Sequence, residues 1–258
     1  MGFELKDKQF SKIYPYLTNW LAGQFKAIDH LPQRVERAGV ARGDRLPLTR
    51  AKALFALSEA FKGMITFGDM KKLANILGVA HITVRIWRSD QQVKERTKDF
   101  ISEFVEDYLG ELITISRPLY DDKASDAEKL SAIRRGVRLS EEVAVFHGRV
   151  LHAFLERAKA MILGGGPNSA VLVNLFARDF PRWIEHYPAN DWREFFEFVN
   201  EEYKKTVTNV YRRVVDSIKA GDIETALFWL EAVQKDAIAN IDMIGFLEKR
   251  WIEKDARS

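Results

Sequence analysis

The sequence predicts an all-α protein, and three observations lead to that prediction. Apolar residues recur at spacings of three and four, which places them on one face of a helix. No segment shows the apolar–polar alternation of a half-buried strand. Capping residues precede many of the apolar-periodic segments, and glycine or proline follows several of them, as expected at helix ends. We expect an N-terminal three-helix module, a long connecting helix, and a C-terminal helical bundle with an αα-hairpin.

The predicted N-terminal domain covers residues 1–117. Its predicted helices are 14–29, 32–38, a helix from Thr49 to about Gly63, 69–77 and 80–88. Thr49 is a good N-cap, and Gly63 suits a C-cap. Ser89 and Gln92 have the spacing of a capping box, which begins the connecting helix. That helix is predicted to stop before Pro118, because the residue before proline disfavours helical backbone.

The predicted C-terminal domain covers residues 118–258. A capping box of Ser125 and Glu128 predicts its first helix. Three later helices are predicted to begin at Ser140, at Asn168 or Ser169 after the glycines 164–166, and at Asp191. Pro181 is predicted to kink or end the helix that begins at Asn168 or Ser169. Residues 191–254 predict two long helices joined by a tight reversal at 220–222.

Charge is unevenly distributed along this chain of 258 residues. The net charge is only +3, but Leu31 to Asp99 contains 14 Lys and Arg against 7 Asp and Glu. Such a basic excess is the electrostatic footprint of a phosphate-binding segment. The chain has no cysteine, which excludes disulfides, thiolate metal sites and cysteine nucleophiles. It has no apolar run of transmembrane length and no signal-like start, so we expect a cytoplasmic protein without membrane contact.

The most informative segment is Met70 to Ser89, MKKLANILGVAHITVRIWRS. Its apolar residues fall where two crossed helices pack: Leu73, Leu77, Val79, Val84 and Trp87. Ala74 is small where the helices cross, and Gly78 lies in the turn, where a left-handed backbone is needed. This spacing predicts a helix-turn-helix, spanning about residues 66–89, whose second helix enters the DNA major groove.

The residues Leu73-Ala74, Leu77-Gly78-Val79 and Thr83 to Trp87 resemble the helix-turn-helix modules of bacterial and phage DNA-binding proteins. The continuation from Trp87 to Asp90, with apolar Val93, is similar to small subunits of phage terminases and related homeodomain-like regulators. The resemblance covers roughly residues 50–100. It implies a DNA-binding function through this module. The chain departs from the pattern at Ala80, where serine is common, and in having isoleucine at two outward positions.

The second helix would turn six positions outward: Ala80, His81, Ile82, Arg85, Ile86 and Ser89. Arg85 suits bidentate bonding to guanine, and the two isoleucines suit thymine methyls. Five cations would meet phosphates, which position a protein without reading sequence: Lys71, Lys72, Arg88, Lys94 and Arg96.

Three functions agree with this pattern. The first is a sequence-specific double-stranded DNA-binding protein, a transcriptional regulator that forms a dimer or larger homo-oligomer through its C-terminal helices. The second is a phage or mobile-element DNA-packaging or partition protein. The third is a protein–protein adaptor with a degenerate helix-turn-helix. The isoleucines Ile82 and Ile86 motivate the third, because they are apolar for a surface that meets DNA.

Enzyme and cofactor signals are weak. The five histidines show no metal-binding spacing, and His147 and His152 fall on different faces of a predicted helix. The glycines 164–166 follow a helix rather than a strand, so they predict a connection, not a phosphate cradle. We expect no enzyme, no metal and no cofactor. The aromatic cluster between Phe176 and Phe198, among mostly acidic neighbours, predicts a core that binds protein or a small effector rather than DNA.

Overall fold

A computed structural model describes residues 15–32, 48–65, 69–121, 123–143, 146–183 and 189–230. The side chains at 120, 140, 174, 177–183, 189–191, 206, 207 and 210 lie outside this description. The described part of the chain is all-α, and its β-type pairing is an isolated bridge between Lys62 and Ile65. None of the helices in this part meets the length and hydropathy of a bilayer-spanning segment.

The described part of the chain consists of successive helices. They are α1 (Pro15–Asp29), α2 (Arg50–Ala60), α3 (Met70–Leu77), α4 (His81–Trp87), α5 (Gln91–Ser116), a 3-10 helix (Arg117–Tyr120), α6 (Asp126–Val143), α7 (Gly148–Leu163), α8 (Pro167–Trp183), α9 (Ala189–Lys219) and α10 (223–230). Contacts group the chain into two compact units. The first is Met1–Leu112 with Glu141–Arg157, and the second is Ile113–Ser140 with Ala158–Ser258. The division into two domains at residue 118 is a separate statement about independent folding, and it stays a prediction.

Aromatic rings form the centre of the first unit. The fully buried Phe104 ring on α5 lies between Trp20, Phe61, Tyr108 and Phe146, with centroids 5.2–5.7 Å apart. Three of these four pairs are edge-on, which is the arrangement favoured by the ring quadrupoles. This cluster links α1 and α5 to the residue that follows α2 and to the segment just before α7.

The start of α2 agrees with its sequence signal, whereas its C-cap lies two residues before the predicted Gly63. The Thr49 side chain accepts a hydrogen bond from the backbone N–H of Lys52, so Thr49 is the N-cap. The helix ends at Ala60, with Phe61 at the C-cap, and Gly63 follows with a φ of 99°. Arg50 forms an ion pair with Asp29, which ties the first turn of α2 to the end of α1.

The start of α5 differs from its prediction by one residue. Asp90, not Ser89, caps the helix, since its Oδ1 accepts from the backbone N–H of Val93 at 3.2 Å. The Ser89 hydroxyl instead donates to the carbonyl of Ile86 at 2.9 Å, at the end of α4. Asp90 is better held in this role because its other oxygen accepts from Lys52 Nζ at 2.6 Å. The helix ends at Ser116, before Pro118, as the proline predicted.

Two predicted helix starts in the later part of the chain are wrong. Ser140 lies inside α6, which continues to Val143, and the next helix begins at Gly148. Asp191 lies inside α9, which begins at Ala189. At Ser140 a good local capping residue is overridden, because α6 continues through it, and at Asp191 the helix begins two residues earlier. The Ser125–Glu128 capping box is confirmed: the Glu128 carboxylate accepts from the Ser125 backbone N–H at 2.8 Å, and the Ser125 hydroxyl accepts from the Glu128 N–H at 3.3 Å.

The second unit has its own aromatic core. Trp192, Phe195 and Phe196 on α9 are buried, and the Phe195 ring packs edge-on against Phe176 of α8 at 4.9 Å. Gly165 and Gly166 have positive φ and connect α7 to α8, which begins at Pro167. The reversal at 220–222 is also present, with Gly221 at φ 77°.

The chain folds back after this reversal. The Arg213 guanidinium of α9 lies 4.9 Å from the Trp229 ring centroid of α10. The predicted helix at 32–38, the residues His186 and Tyr187, and the hairpin beyond residue 230 lie outside the described residues, apart from Pro32 itself.

Candidate functional site

Local signals fix both ends of α3. Asp69 is its N-cap, with Oδ1 accepting from the backbone N–H of Lys72 at 2.8 Å, and this hydrogen bond lowers the pKa of the Asp69 carboxyl. Gly78 ends the helix in the left-handed region, with φ 66° and ψ 31°. Its N–H donates to the carbonyl of Asn75, and that of Val79 donates to Ala74. These two bonds satisfy carbonyls that the end of the helix leaves unpaired.

The inward faces of α3 and α4 are buried as the apolar spacing predicted. Leu73, Ala74 and Leu77 of α3 are buried, and so are Val84 and Trp87 of α4. The Trp87 ring packs against Phe55 of α2, with centroids 5.9 Å apart. Burial of these side chains holds α3 and α4 on α2 and leaves the opposite side of α4 uncovered.

The outward side of α4 is open to solvent. The six residues predicted to point outward are all exposed: Ala80, His81, Ile82, Arg85, Ile86 and Ser89. Ile82 is 59% exposed and Ile86 is 60% exposed, so two large apolar side chains one helical turn apart face solvent together. The Arg85 guanidinium forms no hydrogen bond or ion pair with any residue that the structure describes.

The cations around this face fall into two groups. Lys71, Lys72 and Lys94 are exposed, and their ammonium groups form no ion pair within the described ranges. Arg88 is partly engaged, since its Nη2 lies 3.7 Å from Glu59 Oε1 and 3.4 Å from the Met70 sulfur.

Arg96 is held away from this group by neighbours on its own helix. Its Nη1 lies 2.6 Å from Glu103 Oε1 and 3.9 Å from Asp99 Oδ2. Its guanidinium also covers the Phe100 ring at 3.9 Å. A cation already paired with two carboxylates has less to gain from a phosphate than an unpaired lysine has.

The described residues contain no group of three or more His, Asp or Glu placed to hold a metal ion. His81 is exposed on α4 and His152 on α7, and His147 is exposed just before α7 begins. The groups that this site presents to a partner are lysines, the Arg85 guanidinium and two apolar side chains.

Sequence reasoning missed two cations and one acid beside α4. Glu59 of α2, Lys98 of α5 and Arg149 of α7 line a cavity together with Arg88. Lys98 had a usable signal, because it lies four residues after Lys94 and therefore on the same helix face. Arg149 had none, since only the tertiary fold brings it to this position.

No protein-family model matches this chain, no curated protein matches it in sequence, and no solved structure matches it. The functional interpretation therefore depends on the residues and the geometry described above.

Proposed function

We propose that the protein binds double-stranded DNA sequence-specifically, as a transcriptional regulator in the cytoplasm that uses α3 and α4 as a helix-turn-helix. The observation that carries this proposal is the exposed face of α4, where Arg85 has no partner among the described residues and shares that face with exposed Ile82 and Ile86. The left-handed turn at Gly78 and the buried inward faces support it, because they are the features that hold a second helix outward.

Each group on this face has a matching group on DNA. The Arg85 guanidinium suits the O6 and N7 acceptors of guanine, and the two isoleucines suit thymine methyls. The His81 imidazole donates to a base or to a phosphate. Lys71 and Lys72, at the first turn of α3, are free to neutralise phosphates and to set the orientation of α4.

The direct test is a fluorescence-anisotropy titration of labelled duplex DNA, first of random sequence and then of a sequence selected from a random pool. We expect Arg85→Ala to weaken binding to the selected duplex by about 1–3 kcal/mol and to weaken random-duplex binding much less. Arg138→Ala is the matched control, because Arg138 is an exposed arginine of α6 in the second unit. Equal selected-duplex affinities for wild type, Arg85→Ala and Arg138→Ala would overturn the proposal, as would no binding at low salt.

Self-association is part of this proposal. Exposed apolar side chains cluster on the end of α9 and on α10: Tyr211, Val215, Ile218, Ile223, Leu227 and Phe228. A second copy that covers them would give a two-fold dimer, and a dimer reads two half-sites about one helical turn apart. Molar mass in solution separates the two DNA-binding roles, because a dimer supports the regulator and an octamer or larger ring supports the packaging or partition protein.

A protein–protein adaptor is the second candidate, and the exposure of Ile82 and Ile86 favours it. An adaptor would bury these two residues in a partner rather than in a groove. The double variant Ile82→Ser/Ile86→Ser separates the two functions. Loss of a protein complex with unchanged DNA affinity supports the adaptor, and loss of sequence preference on DNA supports the regulator.

A further inference from the structure

A cavity of about 320 Å³ lies in the first unit, between α2, the start of α5 and the first turn of α7. Its floor is apolar and made of Phe55, Val93 and Ile101, which are all buried. This volume falls at the lower end of the range of pockets that hold small molecules, roughly 300–1,000 Å³. These side chains expose only their edges, and the aliphatic stems of the lining lysines and arginines complete an apolar wall that suits the body of an organic ligand.

The rim of this cavity is positively charged. Arg88, Lys94, Lys98 and Arg149 line it, against the two acids Glu59 and Glu95. Glu59 faces Arg88 at 3.7 Å, and Glu95 accepts from the Gln91 amide at 3.2 Å. Lys98 and Arg149 are both exposed, and neither forms an ion pair with any residue of the described part. Four cations against two carboxylates leave an excess of positive charge in one concavity, and this excess favours an anion there.

We infer that this cavity is a binding site for a small organic anion with an apolar body. The acidic group of the ligand would lie between Lys98 and Arg149, and its apolar body would cover the floor at Val93 and Ile101. A concave site of this size suits a small molecule better than a DNA strand, which is convex and presents its phosphates on the outside. The inference does not depend on the proposed function, because neither Lys98 nor Arg149 belongs to the face of α4.

The experiment uses the full chain and two fluorescent probes of nearly the same shape. One is 1-anilinonaphthalene-8-sulfonate, which is anionic, and the other is N-phenyl-1-naphthylamine, which lacks the sulfonate. We expect the double variant Lys98→Glu/Arg149→Glu to weaken sulfonate-probe binding about tenfold or more, because two charge-assisted contacts become repulsive. Binding of the neutral probe should stay within about twofold of wild type, since the apolar floor is unchanged.

Lys123→Glu is the matched control, because Lys123 is an exposed lysine in a loop of the second unit. It should leave the binding of both probes unchanged. Circular dichroism and thermal melting establish that each variant is folded. If the double charge reversal fails to fold, the single variants Lys98→Ala and Arg149→Ala replace it, and each should weaken only the sulfonate probe.

Three outcomes overturn the inference. One is unchanged sulfonate-probe binding in folded variants, and another is an equal loss for both probes. The third outcome would assign the cations to DNA phosphate instead. In that case the double variant binds duplex DNA more weakly and with a smaller salt dependence than wild type does, while sulfonate-probe binding is unchanged.

Discussion

The Glu142 carboxylate of α6 accepts a hydrogen bond from the backbone N–H of Tyr16, with Oε1 2.9 Å from the nitrogen. Its Oε2 accepts from the N–H of Leu17 at 3.3 Å. Both donors belong to the first turn of α1, where a helix has no internal partners for its N–H groups. Glu142 is completely buried, so one side chain caps a helix that is 125 residues away in sequence.

This arrangement predicts a pH-dependent stability. Burial raises the pKa of Glu142 from 4.5 to about 7, against the two N–H donors, which lower it. The folded protein then binds the proton more tightly than the unfolded chain does. The contribution of Glu142 to the free energy of unfolding should be complete below pH 4.5, decrease as the pH rises to about 7, and stay constant above that. The expected loss is at most about 3 kcal/mol.

Glu142→Gln isolates this effect. The amide keeps an oxygen that accepts from one N–H and has no charge to bury. Urea unfolding at pH 5, 6, 7 and 8 should show that the variant gains stability relative to wild type as the pH rises. Parallel pH profiles for the two proteins would contradict the prediction.

Asp90 and Ser89 make opposite predictions about the start of α5. Asp90→Ala should lower the free energy of unfolding by about 1–2 kcal/mol, because it removes both the cap on Val93 and the partner of Lys52. Ser89→Ala should change it by no more than about 0.5 kcal/mol, since Ser89 is exposed and caps nothing at this helix. Chemical denaturation measures the free energy of unfolding of both variants. A larger loss for Ser89→Ala than for Asp90→Ala would identify Ser89 as the N-cap, as the capping box predicted.

A side chain at Gly78, in the turn between α3 and α4, should lower the stability of the protein. Its φ is 66°, so Gly78→Ala should destabilise the first unit by about 1–2 kcal/mol, even though no atom lies within 4 Å of an added Cβ. Gly23→Ala is the control, because Gly23 lies inside α1 with equally open space and no positive φ. Alanine there should stabilise by about 0.5–1 kcal/mol. Thermal melting should therefore move the two variants in opposite directions.

Local signals predicted those parts of the fold that depend on neighbouring residues. The Ser125–Glu128 box, the Thr49 cap, the Gly78 turn and the stop before Pro118 each involve residues a few positions apart. The buried and exposed faces of α4 were also predictable, because one helical period sorts them.

Features that depend on distant contacts were not predictable. Nothing near Ser140 in sequence indicates that α6 continues to Glu142, whose partners lie at the start of α1. Arg149 reaches the cavity through the fold alone.

Arg96 and the lysines of α3 provide the last prediction, which concerns phosphate contacts. In the DNA-binding proposal, Lys71 and Lys72 are free to neutralise phosphates, whereas Arg96 is occupied by Glu103 and Asp99. The slope of log affinity against log salt should fall by about two for Lys71→Ala/Lys72→Ala, because each phosphate contact contributes about one. Arg96→Ala should leave that slope unchanged and lower the stability of α5 slightly. Anisotropy titrations with a random duplex over a salt series measure this slope for wild type, for Lys71→Ala/Lys72→Ala and for Arg96→Ala under the same conditions. A slope that falls for Arg96→Ala but not for the lysine pair would place the phosphate contacts on α5 and remove α3 from the interface.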